Sequence, residues 1–214
     1  MSCAETQIEN DIRVVVKGNI LDQLNTPVSG ALVQVFTDAD APGATNILVG
    51  EGLSDESGNF FVTSLFGPNA LFYVVITSDD QFSTYRYQTN TESFTPLDLV
   101  FDLDTVSLQR LAAFNYTISR ETSSDDILNF NINSIDPRCI EVYEEGIFNA
   151  VESSCLELTQ MSRQLNNLSP SVLEGVIYAP LQSQVEFTYS INDGDDVTET
   201  ITLNSPQNAF ELNY

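Results

Sequence analysis

Hydrophobic residues in this chain recur with a period of two, in short segments separated by clusters of Gly, Pro, Asn, Asp and Ser. Val185, Phe187 and Tyr189 alternate with Glu186, Thr188 and Ser190, and Val14, Val16 and Ile20 share one face of a segment whose other face carries Arg13 and Lys17. Successive side chains of an extended strand point to opposite faces, so this spacing places one face in a core and leaves the other in solvent. A 3.6-residue apolar period is missing, and many short strands bounded by turn residues point to an all-β sandwich architecture. With 42% hydrophobic residues, 13 Phe and 8 Tyr in 214 residues, there is enough apolar material for two cores.

The segments fall into two series. Residues 12–20, 31–36, 47–53, 59–65, 71–77 and 82–88 form the first, with turn chemistry at Asn25-Thr26-Pro27, Asp55 to Gly58 and Gly67-Pro68-Asn69. Residues 106–120, 127–132, 139–143, 155–159, 172–178, 185–191 and 197–203 form the second, with Asn192-Asp193-Gly194-Asp195 as a hairpin turn. Residues 144–154 read as a short helix or an irregular loop, and 161–170 is equally ambiguous. Pro96 or Asp102-Leu103-Asp104 marks the boundary, giving a tether over 1–11, a first domain over 12–104 and a second β-rich domain over 105–214.

Charge and composition narrow the chemistry. Seven Lys and Arg against 31 Asp and Glu give a net charge of −24, a field that repels phosphate backbones and argues against nucleic-acid binding. The acidity fits solubility in a salty medium or a set of calcium loops. For the second reading the residues are Asp193 and Asp195, with Asp38-Ala39-Asp40 and Ser78-Asp79-Asp80 as further turns of the same kind. No histidine is present, so neither a Ser-His-Asp nor a Cys-His site can be assembled, and His-containing zinc sites are excluded. A glycine-rich phosphate loop is also missing, and neither a cofactor nor a small-molecule substrate is indicated. The expectation is a protein that is not an enzyme.

The three cysteines are Cys3, Cys139 and Cys155. The last two lie in strand-like sequence and form either a disulfide, in an oxidising compartment, or a pair of buried thiols. Such a disulfide closes a loop of roughly 15 residues and contributes about 3 kcal/mol on the chain-entropy estimate. Cys3, after Ser2 and before the polar stretch Ala4 to Gln7, is either the lipid-bearing cysteine of an exported lipoprotein or an incidental terminal cysteine. Tyr85 and Tyr87 share one strand face around Arg86, which suggests a platform for a sugar ring, although paired tyrosines on a strand commonly pack on neighbours.

Three separated blocks, Val16-Lys17-Gly18-Asn19-Ile20, Pro27-Val28-Ser29-Gly30-Ala31-Leu32-Val33-Gln34-Val35 and Ser54-Asp55-Glu56-Ser57-Gly58-Asn59-Phe60, resemble the carboxypeptidase-regulatory-like family in order and spacing. Ser54 stands where the family more often has threonine. The resemblance spans roughly residues 12–80 and implies a seven-stranded transthyretin-like sandwich; the second β-sandwich-like domain over 105–214 resembles no family and rests on the strand pattern alone. It also implies an exported setting, because such domains are abundant in Bacteroidota as stand-alone lipoproteins and as extensions on outer-membrane transporters. The stand-alone lipoprotein is the better match, and Asp104-Thr105-Val106 is similar to the O-glycosylation signal of that phylum, with Thr105 as the modified residue. The expectation is an extracytoplasmic protein anchored at the outer membrane through a lipid on Cys3, at the cell surface or on the periplasmic face. Its partner would be an outer-membrane β-barrel or another surface protein; the rival expectation is a glycan-binding or adhesive module.

Overall fold

The computed structural model describes residues 9–38, 46–67, 71–121 and 125–214, with side chains described from residue 12 onward. Cys3, and Ala39 and Asp40 of the first acidic turn, lie outside the described residues. The described residues form seventeen strands and no helix. The strands are β1 (Glu9–Asp22), β2 (Leu32–Thr37), β3 (Ile47–Leu53), β4 (Asn59–Phe66), β5 (Leu71–Thr77), β6 (Tyr85–Asn90), β7 (Val100–Leu108), β8 (Leu111–Ser119) and β9 (Leu128–Ile135). After these come β10 (Cys139–Glu144), β11 (Ile147–Phe148), β12 (Ser154–Cys155), β13 (Leu158–Leu165), β14 (Val172–Pro180), β15 (Gln184–Ile191), β16 (Val197–Thr202) and β17 (Gln207–Asn213).

The chain divides into two compact units, and the division is not a single cut. The first unit runs to Gln109 and takes in Arg138–Cys155; the second holds Arg110–Pro137 and Leu156–Tyr214. This corrects the expected 12–104 and 105–214 division in two ways. The expected strand over 106–120 is two strands, β7 and β8, which belong to different units, and Gln109 and Arg110 alone separate them. Residues 138–155, expected in the second domain, belong instead to the first unit, where Cys139 to Tyr143 pair with β6.

With β10 to β12 set aside, both units have seven strands and the same topology. In the first unit β1 is the centre of a three-stranded sheet, antiparallel to β4 and parallel to β7. The facing sheet runs β3-β2-β5-β6, antiparallel throughout. In the second unit β8 occupies the place of β1, antiparallel to β14 and parallel to β17. Its facing sheet runs β13-β9-β15-β16, again antiparallel throughout. Counting strands within each unit, both read 4-1-7 over 3-2-5-6.

Alternation explains how each sandwich closes. In β4, Phe60, Val62, Ser64 and Phe66 are buried while Asn59, Phe61 and Thr63 are exposed. Val14, Val16 and Ile20 of β1 meet Val33, Val35, Phe72, Val74 and Ile76 from the facing sheet in the first core. Phe114, Phe130, Phe187 and Phe210 dominate the second, with the Phe187 and Phe210 ring centroids 4.5 Å apart. Gly18 is required by close approach, since a Cβ there would lie 2.9 Å from the Phe60 ring. Ser54, the residue that departs from the family pattern, is buried; its hydroxyl donates to the Val28 carbonyl at 2.7 Å and accepts from the Ala31 amide at 2.9 Å. The hydroxyl thereby fixes the entry to β2.

Candidate functional site

The most distinctive element is the excursion β10 to β12, which leaves the second unit after β9 and adds to the outer edge of β6. β10 runs parallel to β6, with Cys139 opposite Tyr85 and Tyr143 opposite Thr89. On its other side β10 pairs with β11 near the tip and with β12 near the base. The tip is a two-residue turn at Glu145 and Gly146, both with positive φ (52° and 78°), as a type I′ hairpin requires. A Cβ on Gly146 would lie 2.6 Å from the Phe94 ring, so the tip is seated directly on that ring. At the base, Cys139 and Cys155 face each other and are joined by a disulfide. Between β11 and β12 the chain folds back on Asn149, whose carbonyl accepts from the Ser153 hydroxyl at 2.7 Å, while the Ser153 oxygen accepts from the Val142 amide at 2.9 Å.

The inward face of β10 completes the side of the first sandwich. Tyr85 donates to the Glu141 carboxylate at 2.6 Å, and Tyr143 donates to the same oxygen at 3.2 Å. Rings continue outward from the core: Phe101 lies beside Tyr87, Tyr87 is 4.8 Å from Tyr143, and Tyr143 is 5.7 Å from Phe148. Burial pushes the Tyr143 phenol up to about 12, and the neighbouring Glu141 carboxylate adds to the rise. Burial raises Tyr85 and Tyr87 as well, Tyr85 further through its bond to Glu141. Tyr85 and Tyr143 act as hydrogen-bond donors in their neutral form, and Tyr87 as a packing group.

Tyr85 and Tyr87 are 4% and 7% exposed, so the expected sugar platform is corrected: both rings are covered by the excursion and offer no face to a ligand. What the excursion does expose is apolar. Ile147 is 71% exposed, Phe148 48% and Val151 89%. Beside them lies a cleft of about 870 Å³ whose lining includes Leu71, Gln88, Tyr143, Glu144, Phe148 and Asn149. None of these residues was singled out by sequence. The signal was present in Glu144-Glu145-Gly146-Ile147, a charged two-residue turn between strand-like neighbours, in a stretch that read equally as helix or loop.

The other expected residues are dispersed. Thr105 is exposed on β7, near the 2.8 Å ion pair between Lys17 and Asp102. That pair raises the Lys17 ammonium and lowers the Asp102 carboxyl, chiefly through their mutual hydrogen bond. Asp193 and Asp195 are exposed in the turn before β16. Among the described residues the one close group of three metal-type ligand atoms is Cys139, Glu141 and Cys155, two of which are joined in the disulfide, so Asp193 and Asp195 are not gathered with a third carboxylate. In the Ser78-Asp79-Asp80 turn the Asp79 carboxylate accepts from the Gln81 amide at 3.0 Å.

No protein-family model matches the chain, and no curated protein matches it. Among solved structures, the shaft pilin SpaA from Lactobacillus rhamnosus GG is 9% identical over 94% of this chain and 97% of its own, with a TM-score of 0.33. The TIE protein of Bacillus anthracis is 8% identical over 95% of this chain and 34% of its own, with a TM-score of 0.36. A 9R-lipoxygenase from Cyanothece PCC8801 is 16% identical over 50% of this chain, with a TM-score of 0.31, and only 18% of that enzyme is spanned. At these scores they add nothing to the strand order and register described above.

Proposed function

We propose that this protein is a non-enzymatic, exported structural or accessory subunit of a cell-surface or outer-membrane complex. In this reading it is held at the membrane by a lipid on Cys3 and works through protein contacts, with a β-barrel for transport, secretion or outer-membrane assembly as the expected class of partner. The observation that carries the reading is the stapled hairpin. A disulfide, a parallel strand pairing and a part-buried tyrosine-carboxylate cluster all hold a projection whose tip exposes Ile147 and Phe148. Apolar side chains on a rigid projection lose little conformational freedom on association, which is what a protein-contact surface needs. A disulfide also fits an oxidising, extracytoplasmic compartment.

Detergent extraction of the native complex, followed by affinity purification and mass spectrometry, tests the reading. Wild type should retain a barrel or other surface protein and carry acyl chains on Cys3, whereas the double variant Ile147→Asp, Phe148→Ser should lose the partner while keeping its fold by circular dichroism. Retention of the same partner by the double variant would sink the hairpin as the contact surface.

A further inference from the structure

The two units agree in topology, so each position in one has a counterpart in the other, and the counterpart of β6 is β16. β6 is covered on its outer side by β10, and its core-facing row Tyr85, Tyr87 and Thr89 is 4%, 7% and 2% exposed. β16 pairs with β15 on one side and, among the described residues, with no strand on the other. Its core-facing row is Val197, Glu199 and Ile201, opposite Tyr189, Phe187 and Val185. Val197 is 45% exposed, Glu199 is exposed and Ile201 is half-buried. The same structural row is thus sealed where a seventh-plus-one strand is present and open where it is not.

The backbone of β16 is equally ready. The Leu203 amide donates to the Ser183 carbonyl at 2.9 Å, which makes that pair a hydrogen-bonded one. Alternation along an antiparallel ladder then directs the N–H and C=O groups of Thr198 and Thr200, and the N–H of Thr202, away from β15, toward the open edge, while the Thr202 carbonyl accepts from the Asn204 amide at 3.0 Å. The strand reads Val-Thr-Glu-Thr-Ile-Thr, with β-branched residues at five of six positions and neither Lys nor Pro; its one edge-guarding feature is the inward-facing charge of Glu199, which an added strand has to neutralise.

We infer that the outer edge of β16 is a strand-acceptor site for a segment of another polypeptide, which adds in parallel as β10 adds to β6 and carries Lys or Arg at the position facing Glu199. Charge selects this occupant over a second copy of the chain. Glu199 faces inward at the centre of the edge, Asp195 and Asp196 stand at the entry to the strand, and the chain as a whole carries −24. Two such copies repel, while an arginine or lysine over Glu199 neutralises the one charged member of an otherwise apolar row. The main chain supplies the affinity and the inward row supplies the selectivity, as in other strand additions to a sheet edge. This surface is separate from the β10–β12 hairpin, so the outcome does not depend on the function proposed above.

The probe is a fluorescein-labelled peptide, Val-Thr-Arg-Thr-Ile-Thr, compared with its counterpart bearing Glu in the third place, each titrated into the full chain and followed by anisotropy. Wild type should bind the Arg peptide about tenfold tighter than the Glu peptide. Glu199→Lys should reverse the order. Thr200→Pro should abolish binding of both, since it deletes an edge donor without touching the ladder to β15, and proline is tolerated on an edge strand in that orientation. Amide protons of Thr198, Thr200 and Thr202 should gain exchange protection when the Arg peptide binds. Absence of saturable binding to wild type, or an unchanged preference in Glu199→Lys, overturns the proposal. Self-association of wild type that Thr200→Pro removes would assign the edge to a second copy and overturn the basic partner.

Discussion

The two sandwiches of this protein use one strand order and differ at one edge. In the first, the sixth strand is flanked by a stapled hairpin and its tyrosines are buried; in the second, the sixth strand ends the sheet among the described residues and presents a half-exposed valine and a glutamate. The residues follow the difference. Tyr85 and Tyr87 are large rings that need a lid, and β10 supplies it, together with a carboxylate that accepts the Tyr85 hydroxyl. Val197 and Glu199 are small or charged and tolerate water. A shared topology therefore does not carry shared burial; what lies beyond the edge strand decides which side chains that strand can hold.

The two units hold separate cores, and the largest expected effects test their independence. Phe187→Ala, at a fully buried position of the second core, should cost about 3–5 kcal/mol. In a calorimetric scan the loss should fall on one of two unfolding transitions. Phe72→Ala, equally buried in the first core, should move the other. A single transition shifted alike by both variants would merge the two units into one cooperative body and break the comparison.

The next effect sharpens it at the edge. Replacing Cys139 and Cys155 together by serine should destabilise only the first unit, by about 3 kcal/mol on the chain-entropy estimate for a loop of this size. The second unit holds no part of this loop, and its transition should stay where it is. A shift of the second transition by the same amount would show that the excursion also supports the unit it departs from.

The smallest effect is set by pH. Tyr143 is pushed up to about 12, by burial first and by Glu141 next, against about 10 for a free tyrosine. Its folded form holds the proton more tightly than the unfolded form, so the associated stability is present in full below pH 10 and is lost as pH rises toward 12. Tyr85 and Tyr87 act in the same direction. The first unit should therefore soften over that interval, and absorbance at the phenolate band should show Tyr143 titrating late. Glu141→Gln removes the negative neighbour and should bring Tyr143 down; an unchanged titration would mean that the carboxylate contributes nothing there.

Much of this was legible beforehand because period-two alternation is a local property. Val14, Val16 and Ile20 of β1 and Val185 and Phe187 of β15 are buried as the alternation expects, Tyr189 is half-buried, and the turn at Asp55 forms with that carboxylate accepting from the Ser57 and Asn59 amides. Misreadings arose where the local signal was silent. β7 and β8 ran together because no Gly or Pro stands between Leu108 and Leu111 to mark the change of sheet. β17 was missed because Gln207 to Asn213 holds only two large apolar residues, Phe210 and Leu212. Tyr85 and Tyr87 were placed correctly on one face, but a strand pattern does not say whether that face meets solvent or core, and a shift of one residue exchanges them.

By itself the sequence determined the all-β class, the presence of two cores and the pairing partners available to its cysteines, because alternation, turn residues and residue counts act over a few positions at a time. Only the tertiary structure decided that residues 138–155 cross from one unit to the edge of the other, that the tyrosines there are sealed, and that β16 has no second neighbour among the described residues. The reason is that strand addition is written in main-chain hydrogen bonds between segments some fifty residues apart, Tyr85 with Cys139, and any extended backbone can make them. Side chains choose among the edges only once the sheets exist.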